Sequence, residues 1–238
     1  MIMLIDMHAH SSAMSPCCRI DREQVVKEAI DIGLDGLILA NHYSEAYAEL
    51  RPSPKAYAEE FIGEFYLLKE FSEKNGLKAF FAIEVTMERH NNVHMLVYGV
   101  DDAFLLSNPE LYALTQKELY TLVHENGGYL VQAHPLRKGK NVLLDPKYLD
   151  GIEINCHPKY DSTHFEEICE IAHAHGKFLT CGGDYHADTR RPRCGAYLPD
   201  DLSSAKAIIE YLKTAPRISL CIEEPNADSC KRVAFDQK

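Results

Sequence analysis

The chain has 238 residues, 46% hydrophobic and 26% charged, and a formal net charge of −11. That length and composition suit one large α/β domain with its own core and exclude a small scaffold dependent on disulfide or metal staples. An acidic surface forfeits the counterion release that drives binding to long nucleic acids, so no stable nucleic-acid partner is expected; a small phosphorylated substrate in a local cationic pocket remains compatible with it.

Short apolar runs alternate with amphipathic segments. Residues 2–7 read as a strand, 21–32 as a helix closed by Gly33, 37–40 as a strand, and 55–74 as a long helix closed near Asn75-Gly76. Strands follow at 79–85 and 94–98, then a helix at 114–125 stopped by Asn126-Gly127-Gly128, then strands at 129–133 and 151–155. Helix 162–175 ends before Gly176, and strand 177–181, helix 203–213 and strand 218–222 complete the pattern. This alternation predicts seven or eight parallel strands joined by crossover helices and closed into a TIM-barrel-like wall, distorted where residues 85–93 break the rhythm. No repeat or linker divides the chain, so residues 1–238 are read as a single domain.

No apolar run approaches the ~20 residues of a membrane span, and the start lacks the basic flank and apolar length of a secretion signal. A cytoplasmic protein with no membrane partner is therefore expected. The eight cysteines are scattered without a CxxC pair, which fits reduced thiols rather than a disulfide framework. Oligomeric state leaves no readable trace.

The positions of the twelve histidines carry the functional information. His8 and His10 end the first strand and His42 follows the second. Glu84 ends the next, with His94 just beyond. His134 follows the strand at 129–133, Glu153 lies in the strand after it, and Asp184 and His186 follow residues 177–181. In a parallel barrel the C-terminal strand ends converge on one face, where active sites lie. Residues i and i+2 of a strand point the same way, so His8 and His10 can reach one ion, with Asp6 behind them to orient a ligand. The plainer alternative is a pair of partly buried, hydrogen-bonded histidines. His173-x-His175 has the same spacing at the end of a helix, where i and i+2 diverge; there, as for His124, the residues suit the helix dipole. A carboxylate ending an apolar strand, as Glu84 does, needs a salt bridge or a cation, and among so many metal-binding residue types a bridging ligand is the better account. Arg137, after His134-Pro135-Leu136, is a candidate fork for a phosphate, with a surface arginine as the alternative, and Arg193 is a second candidate phosphate contact. The roles of Cys17, Cys18 and His157 stay open, and the loops 43–54, 137–145 and 185–193 are expected to set specificity.

Asp6-x-His8-x-His10, Asn41-His42, Glu84, His94, Ala133-His134-Pro135, Glu153-x-Asn155 and Gly183-Asp184-x-His186 occur in the order seen in the PHP family, named for bacterial polymerase domains and histidinol phosphatase. The chain resembles that family from about residue 4 to residue 197. The resemblance implies a distorted (β/α)7 barrel holding two or three divalent ions (zinc, manganese or iron). One ion would be held by His8, His10, Glu84 and Asp184, a second by Glu84, His94 and His134, and a third by His42 and His186. It also implies hydrolysis of a phosphoester by a metal-bound hydroxide, with Asp184 and His186 among the catalytic residues. The chain departs from the pattern at residues 11–18, where neither the further His nor the Asp of trinuclear members is present; water, substrate or a cysteine thiolate would have to complete the third site. The leading expectation is a metal-dependent phosphoesterase acting on a small phosphorylated metabolite or nucleotide. A 3′–5′ exonuclease or other nucleic-acid phosphodiesterase, and a non-catalytic metal-binding regulatory domain, are the alternatives.

Overall fold

A computed structural model describes residues 1–137, 142–187 and 189–237. Residues 138–141 and Asp188, within two of the loops expected to set specificity, lie outside the described residues. Strand β1 (Ile2–Ala9) is buried at every position but its first, as a central strand covered on both faces should be. Helix α1 (Arg22–Asp31), capped by the Asp21 side chain on the Gln24 amide, leads to β2 (Gly36–Leu39), parallel to β1. The two-residue strand β3 (His42–Tyr43) and short helix α2 (Glu45–Ala48) precede α3 (Pro54–Lys74), which starts at a Ser53 cap followed by proline, a residue suited to a first turn that needs no amide donor. Strand β4 (Lys78–Met87) pairs in parallel with both β2 and β3.

The alternation then breaks. Strand β5 (Val93–Tyr98) folds back antiparallel on β4. After α4 (Asp102–Ser107) and α5 (Gln116–Glu125), the latter held by a Thr115–Glu118 capping box, β6 (Tyr129–Gln132) is antiparallel to β5. Parallel pairing resumes with β7 (Gly151–Asn155) and, beyond α6 (Phe165–His175), β8 (Phe178–Gly182). Strand β9 (Gly195–Pro199) runs antiparallel to β1, and β10 (Arg217–Ile222), after α7 (Ala205–Thr214), and β11 (Lys231–Asp236) extend that edge. The sheet order is β11-β10-β9-β1-β2-β4-β5-β6-β7-β8, with β3 on β4 alone.

The architecture is thus a mixed α/β sheet curled into an open barrel, and the expectation of a closed (β/α)7 barrel is corrected. The reason lies on β1. Its residues Ile2–Ile5 pair with β9, which takes the ladder position that β8 would need for closure. The backbone pairing between the end of β8 and β1 among the described residues is an Ala9–Tyr185 bridge and the Asp184 amide donating to His8 O at 2.8 Å. Gly182 permits that approach: a Cβ there would lie 2.4 Å from His8 Cβ. Leu96, Val131, Ile152 and Leu179 pack with Ile5 and Met7 in the main core, while α1 and α3 cover a second cluster around Leu4 and Leu37. All eight cysteines are free thiols. Among the described residues no helix is long and apolar enough to cross a membrane.

Candidate metal centre

All eight expected ligands meet at the strand ends. Glu84 is the hub. Its Oε1 lies 2.8 Å from His94 Nδ1, 3.2 Å from His134 Nε2 and 3.4 Å from His8 Nε2; its Oε2 lies 2.5 Å from His42 Nδ1 and 3.5 Å from His10 Nε2. Asp184 Oδ1 is 3.0 Å from His10 Nε2 and 3.6 Å from His8 Nε2, and His186 Nε2 is 3.2 Å from His42 Nε2. His134 and Asp184 reach the cluster from left-handed turns, φ 32° and 48°, just past β6 and β8. His and Asp are among the non-glycine residues that tolerate such a backbone best. The His134 amide is held by Glu153 Oε2 at 3.0 Å, as the Asp184 amide is held by His8 O.

The surrounding hydrogen bonds fix which imidazole nitrogen faces inward. Glu153 Oε1 accepts from His8 Nδ1 at 2.8 Å, so His8 presents Nε2 to the cluster. Ser15 Oγ spends its single hydrogen on Asn41 Oδ1 at 2.9 Å and accepts from the His42 amide at 2.9 Å; toward His10 Nδ1, 3.1 Å away, it can only accept again. His10 therefore also turns its Nε2 lone pair inward. The two Nε2 atoms face each other at 3.0 Å, where a proton on His8 or, in its place, a shared cation satisfies both. Glu84 Oε2 and His42 Nδ1 are buried and, despite their proximity, lack a hydrogen-bond partner of acceptable geometry among the described residues. Donor types and orphaned atoms together fit a divalent ion. The donor atoms of His8, His10, Glu84 and Asp184 lie within 4.8 Å of one another, as do those of His42, Glu84 and His94, and those of His10, His42 and His186. His134 approaches Glu84, but His42 rather than His134 completes the second group.

Charge in the cluster follows from burial set against neighbours. Burial pushes the Glu84 carboxyl up, but His94, His42 and His8 outweigh it and hold the group well below the ordinary carboxylate range. Burial is likewise overcome at Asp184, by His8 and His10 first. Burial opposes a proton on His8, yet Glu153, Glu84 and Asp184 raise its pKa well above that of free histidine; Glu84 outweighs burial at His42 and lifts it to about 10. His10 is held well below its usual value by burial first and then by His186 and His42 beside it.

Above the cluster opens a cleft of about 660 Å³, within the range of small-molecule sites. Arg137 and Lys159 line it, supplying positive charge on a strongly acidic protein. The Arg137 guanidinium lies 4.6 Å over the Tyr160 ring, whose other close neighbour, His157, stacks at 4.8 Å. Tyr160 Oη donates to Asp184 Oδ2 at 2.6 Å. Arg193, proposed from sequence beside Arg137, is not at this site. Its guanidinium turns to the end of α1, donating to Ile32 O at 2.9 Å, and reaches Cys230 Sγ at 3.3 Å. Asp6 shares the direction of the histidine pair but holds backbone rather than a ring: Oδ1 accepts from the His8 and Gly183 amides, and Oδ2 pairs with buried Arg191 at 3.1 Å. The ring-orienting groups are Glu153, which sequence places on the converging rim without a role, and Ser15, which like Tyr160 and Lys159 sequence does not single out as a site residue. A carboxylate inside an apolar strand, Gly151-Ile152-Glu153-Ile154, is the signal that points to its role, since it needs buried donors there. His173 lies elsewhere, stacked on Phe235.

No protein-family model matches the sequence, and no curated protein matches it. Solved structures do match. A two-domain protein from Bacteroides vulgatus, containing a predicted PHP-like metal-dependent phosphoesterase, superposes with a TM-score of 0.70 at 17% identity over 94% of this chain. The chain shares its fold with that Bacteroides protein. The chain spans 65% of the length of that Bacteroides protein. PsfC from Pseudomonas syringae gives a TM-score of 0.64 at 16% identity, covering 99% of this chain and 91% of PsfC. A provisionally named metal-dependent phosphoesterase from Bifidobacterium adolescentis gives 0.53 at 17% identity, covering 87% and 94%. At these identities the likeness is one of fold.

Proposed function

We propose that this protein is a metal-dependent phosphoesterase that hydrolyses a small phosphorylated metabolite or nucleotide. The observation that carries the reading is the convergence of His8, His10, Glu84 and Asp184, their donor atoms within 4.8 Å of one another, beneath a cleft lined by Arg137 and Lys159. His8, His10, Glu84 and Asp184 would hold one ion, and Glu84 would bridge to a second beside His94 and His42, with His134 close by. Such ions, when bound, neutralise charge developing on a phosphoryl group and lower the pKa of water. The chain's own groups do the rest. Glu153 and Ser15 keep His8 and His10 in the metal-binding tautomer. Tyr160 ties up Asp184 Oδ2, leaving Oδ1 toward the histidines, while its ring supports Arg137 as a fork for non-bridging phosphate oxygens. His/carboxylate sets of this kind accept zinc, manganese or iron. The size of the cleft and the net charge favour a small substrate over a polymer.

The test is a panel of phosphomonoesters and phosphodiesters, with a labelled oligonucleotide included, run with each metal in turn. Hydrolysis of at least one small ester, lost in Asp184→Ala, is expected. Absence of turnover across the panel with metal-loaded protein, or equal turnover by Asp184→Ala, would sink the proposal; oligonucleotide degradation alone would favour the exonuclease reading.

A further inference from the structure

A second cavity, of about 330 Å³, adjoins the cleft, and His42 and His94 line both. Strand register places it. His42 on β3 lies opposite Glu84 on β4. Thr86, two residues on and so on the same face as Glu84, lies opposite His94 on β5. The groove therefore continues outward along the ladder from the hub carboxylate. Its walls are preformed. On one side Tyr57 Oη donates to His42 O at 2.9 Å, and Ser44 Oγ accepts from the Tyr47 amide at 3.3 Å, starting α2. On the other, the helical turn Glu88–His90 is closed by the Asn92 amide on Met87 O at 3.1 Å. The Gln116 amide ties that turn to α5, donating to His90 Nε2 at 3.1 Å.

The lining differs in kind from that of the cleft. It consists of the hydroxyls of Ser44, Tyr47 and Thr86, the Asn92 carboxamide and the Glu88 carboxylate, and among the described residues no lysine or arginine joins them. Ser44 spends a lone pair, not its hydrogen, on the Tyr47 amide. Such a surface opposes a second phosphate, which would face Glu88 with no cation between. An ammonium group would answer Glu88 alone. Hydroxyls and a carboxamide both donate and accept, so the partner that satisfies the whole set does the same at several points, with two of its donors on the carboxylate oxygens.

We propose that this groove seats the leaving group of the phosphoester, and that the leaving group is a sugar or polyol. This rests on the phosphoesterase reading above and narrows its substrate to a sugar or polyol monophosphate. The phosphoryl group sits over the ligand cluster on the Arg137 side, and the hydroxylated part extends past His42 and His94 to Glu88 and Asn92. In the hydrolysis a water oxygen bonds to phosphorus, the bond from phosphorus to the sugar oxygen breaks, and a water proton ends on that oxygen. The products are the unphosphorylated sugar and inorganic phosphate.

The metal-loaded full chain, assayed on ribose 5-phosphate, glucose 6-phosphate and glycerol 3-phosphate, tests the assignment. Ethyl phosphate, 2-aminoethyl phosphate and a nucleoside bisphosphate serve as references. At least one hydroxylated ester should exceed ethyl phosphate in kcat/KM by roughly 10–100-fold, the worth of a charged hydrogen bond. That ratio should fall by roughly 10–100-fold in Glu88→Ala and roughly two- to tenfold in Asn92→Ala. Asn92 is exposed and Glu88 half-buried on a surface turn, so neither change threatens the core. Equal kcat/KM for hydroxylated and ethyl esters, an unchanged ratio in Glu88→Ala, or preference for the aminoethyl ester or the bisphosphate overturns the groove assignment and leaves the phosphoesterase reading intact. No turnover of any ester overturns both. A second measurement needs neither metal nor turnover. In saturation-transfer NMR with the chelator-treated chain, unphosphorylated ribose, glucose or glycerol should show contact that Glu88→Ala loses. A signal equal in the two proteins, or absent from both, also overturns the assignment.

Discussion

Replacing Glu153 by glutamine changes one atom and tests the arrangement behind the metal ligands. Three donors converge on this carboxylate: His8 Nδ1 at 2.8 Å on Oε1, and the His134 amide at 3.0 Å and Asn155 Nδ2 at 2.9 Å on Oε2. Glutamine offers one oxygen. If that oxygen serves His8, the new amide nitrogen meets two buried donors where it needs an acceptor. If it serves them instead, His8 loses its partner and either strands Nδ1–H or moves the proton to Nε2, the atom that faces Glu84 and His10. A buried donor left without an acceptor costs about 1–3 kcal/mol, and the only arrangement that strands none shifts the His8 proton to Nε2 and so takes away its lone pair for the metal. Loss of a partner behind a metal-bound histidine weakens metal binding by roughly 10–100-fold. The variant should therefore unfold at lower denaturant in chelator and yield zinc more readily to a chromophoric competitor. Wild-type stability together with wild-type affinity would refute the argument that Glu153 sets the His8 tautomer.

Gly182→Ala should be costlier than its size suggests, because its Cβ would lie 2.4 Å from His8 Cβ where carbon atoms prefer roughly 3.5–4.0 Å; thermal unfolding should show a loss of about 1–3 kcal/mol, and bound metal should fall with it. Arg137→Ala should raise KM for a phosphorylated substrate by roughly 10–100-fold, the worth of a charged hydrogen bond, whereas Arg193→Ala should leave kcat/KM unchanged and lower Tm only. Because His8 is lifted well above the ordinary 6.5 and His42 to about 10, their stabilisation of the metal-free protein is complete below the unfolded value and lost as pH rises through the folded ones. Chelator-treated protein should thus lose Tm between neutral and alkaline pH. Zinc, which must displace those protons, should bind more tightly as pH rises and release protons at neutral pH, measurable by titration calorimetry in buffers of differing ionisation enthalpy.

Sequence patterning located most of the donor residues because they sit where short apolar runs stop, on the face shared by parallel strands; His94 reaches that face from the opposite sense, at the start of β5, which runs antiparallel to β4. The same patterning could not locate β9 or β11. Gly195–Pro199 opens on glycine and ends on proline, while Lys231–Asp236 is an edge strand with five of six residues at least partly exposed, so neither carries an apolar signal. Pairing with the free edge of β1 is decided by tertiary contact, and that pairing is what keeps the barrel open. Arg193 misled for a related reason: it precedes β9, close in sequence to the ligands after β8, but its side chain turns toward α1. Tyr160 lies in a loop without periodicity, so nothing local marked it as the residue that joins Arg137 to Asp184.

The seam between β1 and β8 has a mechanical meaning. On one lip stand His8 and His10, on the other Asp184 and His186, with little backbone pairing between them. An ion gripping both lips would act as a clasp on an otherwise unlaced garment. Withdrawing it would do more than silence chemistry: it would leave β1 and β8 joined only by the few contacts at Asp6, His8 and Ala9, so metal supply and the firmness of this seam would be linked.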